Sequence, residues 1–268
     1  IDMPQGGEQS AQGTANTELF SEMIQKLGWV QRGPKDENIE CLKCSLTSTG
    51  KKRHHGVDLL FTFDCPYEKR TRGVYVDGKR YSLQSASKDV IKKWLTKTKK
   101  VTDHLQHSQT SFATTRGLPT DTIIDTGIVA WDCHEGWDEQ AATKRLRSVS
   151  FHPSNDTPLL VLLLTKTHLN RLATAVNFKE KVDEVEFLYS PERRTTWSAV
   201  MTPELLVSEL WCLRYKEGGQ NGYHHSVFYF STGDVADVNF IVPYLSHMQL
   251  LTHDKVTVHI PCQRNELE

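Results

Sequence analysis

No stretch of the chain approaches the roughly 20 consecutive apolar residues that a membrane-spanning helix needs, and the polar opening Gly6, Gly7, Glu8, Gln9, Ser10 lacks a basic lead into an apolar run. A membrane span and a secretory leader are therefore not expected, and the expected compartment is the cytoplasm. Ile1 and Asp2, ahead of Met3, read as an appended remnant and carry no weight in the fold. Cysteine is sparse. The six cysteines (Cys41, Cys44, Cys65, Cys133, Cys212, Cys262) lack the dense spacing of a disulfide scaffold, which fits a reducing environment. A dominant charge is missing too: 32 Lys and Arg stand against 33 Asp and Glu, which argues against a wholly basic nucleic-acid binder. What remains is an ordinary globular composition, 38% hydrophobic over 268 residues, enough to bury a substantial core as one large domain or two modest ones.

The balanced total hides a local asymmetry. Between Pro66 and Lys100, the bases Lys69, Arg70, Arg72, Lys79, Arg80, Lys88, Lys92, Lys93, Lys97, Lys99 and Lys100 meet only Glu68, Asp77 and Asp89. Such a run is usually a solvated helix face. This one begins beside an acid-x-lysine triplet, which gives it a second meaning.

The apolar periodicity predicts an α/β protein. Leu19, Phe20, Met23, Ile24 and Leu27 fall at helical spacing over 17–27, with Gly28 as the stop. Strands are expected at 39–46, 57–63 and 73–77, and a long helix capped by Ser85 or Ser87 should reach about Leu105. A strand at 122–131 and a helix at 139–149 follow. The second half alternates strands at 159–164, 185–189, 226–230 and 256–260 with helices at 168–176, 203–215 and 236–248. A weak break at 152–158 suggests a domain over 8–152 and, over 153–268, either a C-terminal α/β domain or an extension of the same sheet that could serve partner binding.

The chemistry gathers in the first half. Asp58 opens the second strand, and Asp77 and Lys79 close the third; pairing in a hairpin makes these two points neighbours. Residues i and i+2 of a strand share a face, so Asp77 and Lys79 address one site. Two converging carboxylates suit a hard cation such as Mg²⁺, and an adjacent ammonium can orient an attacking water or offset charge building on a phosphate. Such a set is suited to breaking phosphodiesters.

The order of a Glu-bearing helix, an Asp at the head of one strand, an acid-x-Lys at the tail of the next, then a helix and a strand, resembles the PD-(D/E)xK restriction-endonuclease-like fold. More narrowly, Gly7-Glu-Gln-Ser10, Leu27-Gly-Trp29, His55-Gly-Val-Asp58 and Lys79-Arg-Tyr-Ser82 are similar to the nuclease subunit of two-component GAPS-type bacterial anti-phage defence systems. Val57 stands where the superfamily name has proline, and Asp77 is the shorter of the two allowed acids. The resemblance implies a mixed central sheet flanked by helices, followed by a C-terminal α/β extension. It implies Asp58 and Asp77 as metal ligands for Mg²⁺, with Mn²⁺ able to substitute, and Lys79 as the residue that positions water. Glu18 is the first choice for the first-helix acid, with Glu22 one turn later as the other candidate. Lys88, Lys92, Lys93, Lys97, Lys99 and Lys100, together with His55, would meet the backbone of double-stranded DNA. A second defence protein in a heteromer, and self-association, complete the implied partners.

Other features read more plainly. Cys41-Leu-Lys-Cys44 has zinc-like spacing, but no second pair follows and His54, His55 and Cys65 stand at irregular distances, so an ordinary strand is the default. Cys133-His134-Glu135 places neighbours on opposite faces. Gly218 to Gly222 lacks the lysine of a phosphate loop and reads as a turn. Three functional classes stay open at this point: a metal-dependent deoxyribonuclease, a DNA-binding subunit of the same fold with weak catalysis, and a scaffold subunit whose acids and lysines are surface ion pairs.

Overall fold

The computed structural model describes residues 17–46, 48–151, 158–189, 196–218, 222–230, 235–248, 250 and 256–259. The segments 7–10 and 152–157, the centre of the glycine-rich turn near 220, and Cys262 fall outside them. Among the described residues, no helix is long and apolar enough to cross a membrane.

The chain folds into two compact units. The first runs to Asn170, apart from 66–68; the second holds 66–68 and continues from Arg171. The first unit opens with α1 (residues 17–26), whose Phe20, Met23, Ile24 and Leu27 are buried, while Leu19 lies outside the apolar stripe and is exposed. Gly28 ends the helix in the left-handed region (φ 97°), which lets the Trp29 N–H reach back to the Ile24 carbonyl at 3.3 Å. Trp29 then stacks on Phe63, with ring centroids 5.2 Å apart.

Next come β1 (Val30–Gln31), β2 (Glu37–Glu40), β3 (His54–Val57), β4 (Leu59–Asp64), β5 (Thr71–Arg80), α2 (Lys88–Phe112), β6 (Ile123–Asp132), α3 (Glu139–Arg147) and β7 (Leu160–Leu164). β2 and β3 form a separate antiparallel hairpin. The others make one mixed five-stranded sheet in the order β1-β4-β5-β6-β7, antiparallel from β1 to β5 and parallel from β5 to β7. The parallel half requires helical crossovers, and α2 and α3 supply them. The mixed sheet with its helices is the α/β core that the element order predicts.

α2 is the longest helix. Ser87 is its cap, accepting from the Val90 N–H at 3.4 Å, and the helix continues seven residues past Leu105 because Phe112 finds a buried place with Leu118 and Ile124. Its buried residues contribute to two clusters: Val101 and Leu105 with Val57, Leu60 and Tyr75, and Ile91, Trp94 and Leu95 with Val129 and Trp131. Gly127 of β6 makes the close approach possible, since a Cβ there would collide with Thr98 and Thr102 of α2.

The second unit contains α4 (Lys166–Lys179), into which the division falls, then β8 (Asp183–Tyr189), β9 (Thr196–Ser198), α5 (Pro203–Leu206), β10 (Leu210–Lys216), β11 (His224–Tyr229), α6 (Val235–His247) and β12 (Val256–His259). Its sheet has the order β12-β11-β10-β8-β9 and is distinct from the first, so the halves do not share one extended sheet. The helix expected over 203–215 is corrected to one short turn followed by a strand. Leu210–Lys216 is paired on both sides, by β8 and by β11, and the Trp211 indole donates to the Leu205 carbonyl at 2.8 Å. Apolar residues at 211, 212, 213 and 215 fit either period, and the two ladders decide the outcome. Cys212, Val227, Ile241 and Leu245 form a buried cluster in this unit.

Gly127→Val should lower the stability of the protein by about 1 to 3 kcal/mol, because α2 must move off β6 to make room. The check is the urea midpoint at unchanged m-value; a midpoint equal to that of the parent protein would contradict the close approach.

Candidate active site

The register of one antiparallel pair assembles the site. Leu59 of β4 faces Val76 of β5, so Asp58, on the bend just before β4, comes next to Asp77. The Gly78 N–H donates to Asp58 Oδ2 at 3.2 Å and fixes that carboxylate on the strand. Strand alternation does the rest: Tyr75, Asp77 and Lys79 project to one face, and Tyr75 packs there with Val101 and Leu105 of α2. Lys79 Nζ lies 2.7 Å from Asp77 Oδ1. Lys97, one face of α2 away, brings a second ammonium to the same oxygen at 3.1 Å.

Asp77 is fully buried, and its other oxygen, Oδ2, has no hydrogen-bond partner among the described residues. Burial by itself pushes the carboxyl up, but the charges of Lys79 and Lys97 outweigh burial and hold it below its ordinary value. Asp58 goes the other way. Burial pushes its carboxyl up to about 7, the charge of Asp77 adds to the effect, and Lys79 and Lys97 oppose it without prevailing. Tyr75 stays a neutral phenol, its ionisation raised far out of range by burial first and then by the two acids.

This donor set fits a divalent cation. An orphaned buried carboxylate oxygen beside a second acid that is reluctant to ionise is a site short of positive charge, and hard oxygen donors suit Mg²⁺ or Mn²⁺. Asp58 and Asp77 are the residues that would hold it.

The remaining expected site residues fall as follows. Glu18 is exposed, with Lys35 3.5 Å away, and Glu22 is exposed one turn on. From α1, Thr17 approaches β5: its Oγ1 is 2.5 Å from where a Cβ on Gly78 would stand, on the face opposite Asp77. His55 lies in a cluster with Cys44 and His104. Lys92, Lys93, Lys97 and Lys100, with Asp89 and Thr96, line an open groove of about 630 Å³ along α2. Lys88 is exposed and Lys99 is half-buried. Tyr75 and the inward role of Lys97 were not expected. Tyr75 could have been found from its parity with Asp77, whereas Lys97 carries no local signal of its contact.

The mixed sheet, and two acids with a lysine two residues after the second, have the layout of the PD-(D/E)xK nuclease class. The family model described as the GAPS4 protein PD-(D/E)XK nuclease domain matches residues 3–167, well over half of the chain, and the chain belongs to that family. No curated protein and no solved structure gives a match.

The raised Asp58 carboxyl has a defined sign. From about pH 4 to about pH 7 the folded protein holds a proton that the unfolded chain has shed, so stability falls as pH rises through that window. In magnesium-free buffer, Asp58→Asn should therefore raise the unfolding midpoint more at pH 8 than at pH 4. Mg²⁺ affinity of the parent protein should weaken as pH drops below about 7, with proton uptake on release of the ion. Equal gains at both pH values, together with pH-independent Mg²⁺ binding, would contradict the arrangement.

Proposed function

We propose that the protein is a divalent-metal-dependent endonuclease that hydrolyses phosphodiester bonds of double-stranded DNA, and that it acts in the cytoplasm as an effector of bacterial anti-phage defence. The observation that carries this reading is the pair Asp58 and Asp77 beside Lys79, with Lys97 both pairing with Asp77 and lining a lysine-rich groove. Nuclease family membership supports it.

Asp58 and Asp77 hold the ion, which supplies Lewis-acid polarisation of the phosphate and a lowered pKa for water. Lys79 and Lys97 are the ammoniums available to orient water and to offset charge developing on the phosphate. Because Lys79 Nζ starts on Asp77 Oδ1, a ligand of the ion and the water-orienting group are adjacent by construction of the strand. Lys92, Lys93 and Lys100 meet the DNA backbone, giving affinity that depends on salt rather than on sequence, with Lys88 and Lys99 flanking them. Mg²⁺ is the expected ion and Mn²⁺ a substitute. A defence nuclease must be silent in an uninfected cell, so a second protein in a heteromer, or self-association, governs access to the groove.

The pairing of Glu18 with Lys35 favours a second reading, a DNA-binding subunit with weak catalysis.

The purified protein, alone and with the product of its neighbouring gene, is incubated with linear and circular DNA with and without Mg²⁺. Asp77→Ala and Lys79→Ala should each lower cleavage by at least about 10²-fold. Cleavage undiminished in both variants would remove the assigned site, and binding by the parent protein without cleavage would leave the second reading. Replacing Lys92, Lys93 and Lys100 by Ala should weaken DNA binding and reduce the slope of log affinity against log salt by about 2 to 3. An unchanged slope would place the DNA elsewhere.

A further inference from the structure

Outside the carboxylate site, one cluster of soft donors has no part in the proposed reaction. Cys41, Cys44, His55 and His104 bring four ligand atoms within 4.8 Å of one another. His104 Nδ1 is 3.2 Å from Cys41 Sγ and 3.3 Å from Cys44 Sγ; His55 Nε2 is 3.4 Å from Cys44 Sγ and 2.8 Å from His104 Nδ1. Zinc at its usual distances from sulfur and imidazole nitrogen sets ligand atoms about 3.3 to 3.8 Å apart on the edges of a tetrahedron. The three sulfur–nitrogen distances lie close to that range, the nitrogen–nitrogen distance is shorter, and no two ligand atoms are more than 4.8 Å apart.

The donors come from three separate elements. Cys41 follows β2, Cys44 lies in the loop beyond it, His55 is in β3, and His104 is on α2. Side chains so far apart in sequence meet here by folding, not by local chain geometry. The Cys44 N–H also donates to Cys41 Sγ at 3.1 Å, which holds the two cysteines of the Cys41–Cys44 loop together. Cys65 and Cys133, the other cysteines of the first unit, and His54 lie outside the cluster.

We infer that Cys41, Cys44, His55 and His104 form a tetrahedral, structural zinc site. Four protein ligands complete the coordination and leave no open position, so the ion holds the fold and takes no substrate. Two thiolates and two neutral imidazoles give a site of no net charge with Zn²⁺, suited to its partly buried position. Its place gives it a purpose. The β2–β3 hairpin covers the cluster containing Ile39, Val57, Val101 and Leu105, and is otherwise tied to α2 by the Leu42 N–H to Ser108 Oγ bond at 2.8 Å and by the Lys43–Asp103 pair at 2.6 Å. Asp58 stands three residues after His55, and Lys97 two helical turns before His104. The zinc fastens the strand that delivers Asp58 to the helix that delivers Lys97. His55 thereby acts as a ligand and not as a contact to phosphate.

This assignment stands independently of the nuclease reading, and its test reads metal rather than cleavage. Protein purified without chelator should contain about one zinc per chain by elemental analysis, and Cys44→Ser and His104→Ala should each lose most of it, whereas Asp77→Ala keeps it. Should the ligand variants fold poorly, cobalt exchange into the parent protein gives a second reading: intense visible bands of tetrahedral Co²⁺ with a thiolate charge-transfer band are expected. Absence of both bound zinc and these bands in the folded parent protein would overturn the site. So would one zinc per chain that survives in both ligand variants or disappears with Asp77→Ala.

Discussion

Two carboxylates forced together out of water repel each other, and the first unit is organised around keeping them there. The hydrogen-bond register of β4 and β5 makes Asp58 and Asp77 neighbours whatever their charges prefer. Of the two, Asp77 ionises because two ammoniums share one of its oxygens, and Asp58 yields, its carboxyl pushed up to about 7. The remaining oxygen of Asp77 has no hydrogen-bond partner within normal geometry among the described residues. Buried oxygens in that state cost stability unless something positive arrives, so the metal-free site is held at a cost that binding of a cation relieves. A cation bound there would relieve a desolvation and a repulsion that the fold already carries.

α2 is the element that converts this local tension into a working surface. One side of it is apolar and joins two core clusters; the other carries the lysine groove. Lys97 stands at the border between them, half exposed and reaching the buried acid. Lys97 is thus the residue common to the groove and to the Asp77 ion pair. The position of α2 in turn depends on Gly127 beneath its middle and on the hairpin fastened to its C-terminal half.

Much of this was legible in the sequence because it depends on short-range rules. The spacing of Asp77 and Lys79 fixes a shared face, and an apolar run following Asp58 gives the strand that pairs with theirs. The long helix follows from its stripe and its serine cap. What was hidden depends on tertiary geometry. Lys97 is twenty residues from Asp77, and only the crossing of α2 over β5 brings them together. His104 is sixty residues from Cys44, beyond any spacing rule for metal pairs. Glu18 suits the acid of the first helix by its distance from Gly28, yet the rotation of α1 buries Phe20 and Ile24 and turns Glu18 outward. The segment 210–216 misleads for a different reason: its apolar residues satisfy both periods, and a central place between two strands selects the extended form.

The central claim is that Asp58 and Asp77 jointly coordinate one divalent ion. The most direct test is an anomalous diffraction map from crystals of the protein soaked in Mn²⁺. The account requires one strong peak within about 2.1 to 2.4 Å of a carboxylate oxygen from each of the two residues. A map with no peak between these acids at saturating Mn²⁺, or with the two carboxylates turned away from each other, would contradict it.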